Sequence, residues 1–187
     1  MKTQRTLRVF SGELDSLERS ASAQFVRLQL EAQKPLPSSD AMHTTARRVL
    51  DDAHLISLFF FPSKANKIEA TRIRSDLLKD HFNITEKSVL ASRAVRNHLA
   101  HIDERLDSWA ENSEMRTFGR NMIGSILDAK RIGIREEDIL GMISSDTLDY
   151  VFREATVNLE EVIQEIRRIG FVARRTIRAT PWPKDKK

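Results

Sequence analysis

The chain has 187 residues, enough to bury a substantial core in one domain. Apolar residues make up 40% of it, and its six glycines and five prolines are few, so it reads as a globular protein rich in helix rather than a many-stranded β architecture. There is no cysteine, which removes disulfides, thiol chemistry and thiolate metal sites; the formal net charge is only +4, so a polyanionic partner depends on where the charge lies. The N-terminus carries no apolar core of signal-peptide length, and the densest apolar run, residues 55–61, is too short to span a bilayer. The expectation is a soluble, cytoplasmic protein with no membrane partner.

Phe10, Leu14, Leu17, Ala21, Phe25, Leu28 and Ala32 recur at three- and four-residue spacing, which predicts a helix over 12–33 with Ser11 as its N-cap. Residues 34–39, with two prolines and two serines, form a loop. Asp40 is placed to cap a second helix ending near Phe61, where 55–61 is apolar nearly all round and Pro62 stops it. A third helix is predicted over 65–79 with Ile68, Leu77 and Leu78 inward, and a fourth over 86–111 with Thr85 as its cap. Along the fourth, Val95, Leu99, Ile102, Leu106 and Trp109 form a narrow stripe at 100° per residue.

Beyond it the pattern changes. Residues 117–123 suggest a short strand, 136–143 a short helix, and the alternation of Leu148, Tyr150 and Phe152 another strand. Asn158 is placed to cap a last helix to about residue 175, with Leu159, Val162, Ile163, Ile166 and Ile169 inward and Gly170 weakening but not ending it. The predicted fold class is mainly α: a helical bundle of about five main helices with a small hairpin-like insertion before the last. Residues 1–178 form one domain, 113–156 are its variable insertion, and 179–187 are a basic, poorly ordered tail.

The residues nearest to chemistry are Arg96-Asn97-His98-Leu99-Ala100-His101 on the fourth helix. Arginine is always charged and grips phosphate with two donors, whereas histidine titrates near neutrality and can take a proton from a ribose 2′-hydroxyl. With Val95 at the centre of the buried face, Arg93, Asn97 and His101 share the opposite side, and Arg96 lies about 140° from His101. One helix alone does not bring Arg96 and His101 together; a groove or a second chain is needed. Arg and His at similar spacing also occur as Arg47 or Arg48 with His54, Arg74 with His81, and Arg93 with His98. Only Arg96 is followed by an amide, Asn97, on a helix whose other side is a clean apolar stripe.

This run, continued by Ile102-Asp103-Glu104-Arg105, resembles the motif of the HEPN superfamily: an arginine, a polar residue that is often Asn, a few more residues and then a histidine, late in a helical bundle. The order of helices is also similar, with the long insertion as the departure. The resemblance implies a homodimer in which two Arg–His pairs face one another across a cleft, and a metal-independent endoribonuclease, such as a toxin of a toxin–antitoxin system or an antiviral component. It implies that Arg96 holds the scissile phosphate, His101 acts as general base and Asn97 supports the arginine, leaving a 2′,3′-cyclic phosphate. The other reading that the resemblance allows is a non-catalytic dimerisation module that binds an antitoxin or a nucleotidyltransferase-like partner.

The C-terminal stretch is rich in cations, with Arg167, Arg168, Arg174, Arg175 and Arg178 on the helix and three lysines in the tail. Arg93, His98, Arg174, Arg175 and Arg178 are the residues placed to contact RNA, against the plainer reading of a solvated helix end. Trp182 between two prolines either stacks on a base or pins the tail. His98 and His101 are spaced like a metal pair but lack a compelling third ligand, so neither a metal nor a cofactor is expected. His43, His54 and His81 read as ordinary bundle histidines, and Glu136-Glu137-Asp138 as the charged first turn of a short helix.

Overall fold

The computed structural model describes residues 2–63, 68–92, 102–113, 118–153 and 155–180. Helix α1, Lys2–Ala32, starts ten residues before the predicted boundary. Ser11 is therefore not a cap but a fully buried residue inside the helix. The reason is that Leu7 continues the stripe of Phe10, Leu14, Leu17, Ala21, Phe25 and Leu28 by one more turn, and burial of that stripe carries the helix past Ser11.

Helix α2, Ser39–Phe60, is capped by Ser38, whose side chain accepts from the Ala41 N–H; Asp40, expected as the cap, lies in the first turn beside the positive end of the helix dipole. Its C-terminal end is less uniformly enclosed than predicted: Ile56, Ser57 and Phe60 are buried, but Leu55 is 46% exposed. Helix α3, Glu69–Phe82, lies three to four residues later than predicted and ends on Asn83, which takes the left-handed conformation (φ 51°) that asparagine tolerates. Ile68, expected inward, is exposed ahead of the helix, whereas Leu78 and Phe82 are buried. Two buried hydroxyls fasten the turns to α2, with Ser75 donating to the Phe60 carbonyl and Ser57 to the Leu90 carbonyl at 2.7 Å.

The fourth helix does not start at Glu86. Residues 83–88 make turns, Val89–Ala91 is a single 3₁₀ turn, and Ser92 is extended. Ser88 explains the change, because its side chain takes the Leu90 N–H and drops Leu90 into the core. Helix α4, Ile102–Asn112, matches the second half of the prediction.

The insertion is a four-stranded sheet in the order β1-β2-β3-β4, richer than the expected hairpin. Strand β1, Met122–Ile123, runs parallel to β2, Met142–Ile143, and the two are joined through helix α5, Ile126–Arg131. β3, Asp149–Phe152, is antiparallel to β2 and forms a hairpin with β4, Ala155–Asn158. Phe152 pairs with Ala155, so the turn has two residues, and the first, Arg153, sits at φ 52°. The predicted helix over 136–143 is overturned: only Glu136–Asp138 makes a 3₁₀ turn, and Gly141 at φ 150° has no place in a helix. The helix lies at α5 instead, where Ser125 and Asp128 form a reciprocal capping box.

The sheet is apolar on both faces. Leu140, Ile143, Tyr150, Phe152 and Val157 join the bundle core, while Met142 and Val151 meet Ala129, Ile139 and Ile134 under α5. Helix α6, Leu159–Ala179, is capped by Asn158 and buries Leu159, Val162, Ile163, Ile166 and Ile169 as predicted. It runs antiparallel to α1: Arg8 donates to the Ile177 and Thr180 carbonyls at its C-terminal end, and Arg167 reaches Ser22. Gly170 does not end α6; it is where the helices come closest, since a Cβ there would lie 2.4 Å from Cγ of Glu18. Among the described residues no helix is long and apolar enough to cross a membrane.

Candidate functional site

Arg93, Arg96, Asn97, His98 and His101 lie outside the described residues, as does Trp182. The helix that follows them, α4, is described, and it is anchored by an unexpected residue. Asp138 is 1% exposed, and its Oδ1 accepts from Trp109 Nε1 at 2.8 Å and from the Ser113 hydroxyl at 2.7 Å. The Trp109 ring stands edge-on to Phe118, with centroids 4.9 Å apart, and Leu106 packs against the main core. Asp138 Oδ2 is buried with no hydrogen-bond partner among the described residues. The sequence presented Asp138 as one of three acids in a surface turn; nothing in its spacing tied it to Trp109, 29 positions earlier.

The other Arg–His pairs of similar spacing have separate duties. Arg47 donates from Nη2 to Asn121 Oδ1 at 2.9 Å and faces the Tyr150 hydroxyl, which fixes the sheet to α2. Arg74 lays its guanidinium 4.9 Å from the Phe10 ring centroid and 6.0 Å from that of Phe59, and desolvation lowers its pKa. His81 Nε2 lies 2.7 Å from Thr176 Oγ1. That hydroxyl gives its proton to the Val172 carbonyl, so the histidine is the donor.

His43 is buried where α2 meets the sheet. Its Nε2 is 2.9 Å from the Met122 carbonyl, which only accepts, so Nε2 carries the proton and Nδ1 is left bare. Burial pushes its pKa below the ordinary histidine value; the Arg47 charge adds to this, while the Met122 bond and Asp40 oppose it. The imidazole is neutral and structural.

Of the three C-terminal arginines expected to face RNA, Arg174 is turned inward to α1. It donates to Asp15 at 3.0 Å and to Glu18, and these bonds raise its pKa. Burial raises the Asp15 carboxyl, but Arg19 and Arg174 outweigh it and hold the pKa below the usual range. Arg174 therefore leaves the RNA-facing set. Arg175 and Arg178 are exposed, and Arg175 lies 5.8 Å from the ring of the exposed Phe171. Among the described residues no group of three or more His, Cys, Asp or Glu is placed to hold a metal ion.

No family model matches the chain, and no curated protein or solved structure matches it either.

Proposed function

We propose that this chain is a metal-independent endoribonuclease of HEPN type that acts as a homodimer on RNA. The observation that carries the reading is the Arg96-Asn97-His98-Leu99-Ala100-His101 run directly ahead of α4 in a mainly helical bundle. The structure adds a contrast: Arg47, Arg74 and His81, which occur at similar spacing, are engaged in packing, stacking and hydrogen bonds.

In the proposed reaction Arg96 binds the scissile phosphate and Asn97 donates to one of its oxygens. His101 takes the proton of the ribose 2′-hydroxyl, and the 2′-oxygen attacks the adjacent phosphorus. The 5′-oxygen leaves and is protonated by solvent, giving a 2′,3′-cyclic phosphate and a 5′-hydroxyl end. The angular separation of Arg96 and His101 on a helix is why two copies are required.

The test is cleavage of a labelled RNA in excess chelator. Arg96→Ala and His101→Ala are each expected to slow cleavage by about a hundredfold or more, with cyclic phosphate ends from the unaltered protein. Equal rates in all three proteins overturn the reading. The exposed side chains of Leu127 and Ile132 at the two ends of α5 favour a second one, a non-catalytic module for an antitoxin or nucleotidyltransferase-like partner. A stable dimer that cuts no RNA selects it.

A further inference from the structure

Helix α6 buries one side against α1 and α2 and leaves the other open. On the open side Gln164, Arg167, Phe171, Arg175 and Arg178 recur at three- and four-residue spacing, and all are exposed. Two observations separate this face from an ordinary solvated helix.

The first is Phe171, which is 57% exposed; no other Phe, Tyr or Trp among the described residues is classed as exposed. The second is the way the fold distributes its charge. Residues 166–180 contain five arginines and no acid. The two that do not lie on the open stripe are neutralised, Arg168 by Glu165 and Arg174 by Asp15 and Glu18. The three on the stripe have no carboxylate partner among the described residues. Arg167 reaches only the Ser22 hydroxyl and the edge of the Phe25 site, and Arg175 stacks beside Phe171. The result is an exposed ring among three unneutralised guanidinium groups.

We propose that this face of α6 is a binding track for single-stranded RNA, with a base stacked on Phe171 and phosphates held by Arg167, Arg175 and Arg178. The charges complement a phosphate backbone, and a lone exposed ring suits an unstacked base rather than a paired one. From Arg167 to Arg178 the helix rises about 16 Å, the length of a few nucleotides. A single apolar side chain gives too little area to insert into a membrane. A second copy of the same stripe would set arginine against arginine. The track is argued from α6 alone and does not depend on cleavage at Arg96 and His101.

The test is fluorescence anisotropy of the full chain with a short, labelled, mixed-sequence RNA whose 2′-hydroxyls are methylated, so that attack by the 2′-oxygen is blocked. Phe171→Leu is expected to weaken binding about tenfold and Phe171→Trp to preserve it. Replacing Arg167, Arg175 and Arg178 together by Gln is expected to flatten the slope of log affinity against log salt by about 2. Arg131→Gln on α5 is expected to change neither. Unaltered binding by Phe171→Leu overturns the proposal, as does equal affinity for a duplex of the same sequence. Stronger binding to anionic phospholipid vesicles than to the oligonucleotide assigns the face to a membrane surface, and a dimer lost in Phe171→Leu assigns it to a second copy; either overturns the track. If the unaltered protein binds the methylated strand but does not cut ordinary RNA, the track stands and only the nuclease reading falls.

Discussion

The helical bundle and the inserted sheet are held together by different means. Between α1, α2 and α6 the contact is made by long apolar stripes, with Leu14, Phe25, Leu28, Val49, Ile56, Ile163 and Ile166 fully or almost fully buried. The sheet has strands of two to four residues and docks through single polar groups: His43 on Met122, Arg47 on Asn121 and Asp138 on Trp109. Dispersed apolar burial tolerates the loss of any one hydrogen bond, whereas a joint made of a few buried polar pairs does not. The difference bears on function because α4, the helix that follows the Arg96–His101 run, is tied to the sheet side through Asp138.

The largest effect should come from the bundle. Phe25→Ala removes a ring that is 1% exposed at the α1–α6 seam and is expected to cost about 3–5 kcal/mol. Chemical denaturation followed by circular dichroism and by Trp109 fluorescence, in a Trp182→Phe background, should show both signals moving together to lower denaturant. If only one moves, the bundle is not the common support of the two regions.

Much of the bundle was legible in the sequence because its signal is repeated. Every turn of α6 places another apolar residue on the same side, and Asn158 caps it as read. The errors lie where one local hydrogen bond decides. Ser88 takes the Leu90 N–H and replaces the expected start of the fourth helix by a 3₁₀ turn. The Ser125–Asp128 box that starts α5 was visible as a serine followed three residues later by an acid, but the apolar pattern of 139–143 drew the helix to the wrong place. Asp138 was not legible at all, since a carboxylate that serves a tryptophan 29 positions away leaves no periodic trace. The candidate site divides in the same way. Its residue types were readable, and so was the basic end of α6. Which of those arginines are neutralised was not, because Asp15 and Glu18 meet Arg174 only after α1 and α6 have packed.

Asp138 gives the next largest effect and the sharpest contrast. Asp138→Ala leaves the Trp109 indole N–H and the Ser113 hydroxyl without their acceptor and is expected to cost about 1–3 kcal/mol. Here the two signals should separate, with Trp109 fluorescence shifting at lower denaturant than helical circular dichroism. Asp138→Asn keeps one acceptor oxygen and should recover most of the loss. Coincident transitions in the alanine variant would mean that the insertion and the bundle unfold as one unit and that the polar joint has no local role.

The smallest effect tests the other end of the joint and depends on pH. His43 is held neutral because burial disfavours its charged form and Arg47 adds to that; Asp40 and the bond to Met122 act against it. Its folded pKa is therefore below the 6.5 of an unrestrained histidine. Between the two values the unfolded chain binds more protons than the folded one, so stability is full above about pH 6.5 and falls as acid is added, by at most about 1.4 kcal/mol per pH unit. His43→Gln retains an N–H for the Met122 carbonyl but cannot titrate. The two proteins share their carboxylates, including Asp15 and Glu165, whose pKa values are lowered, and Asp51 and Asp52, whose values are raised, so those contributions cancel in the difference. Urea midpoints measured from pH 8 to pH 5 should run parallel down to about pH 6.5, below which the unaltered protein loses stability relative to His43→Gln. Parallel curves across the whole range would show that His43 accepts its proton in place, and that the contact between α2 and β1 survives a buried positive charge.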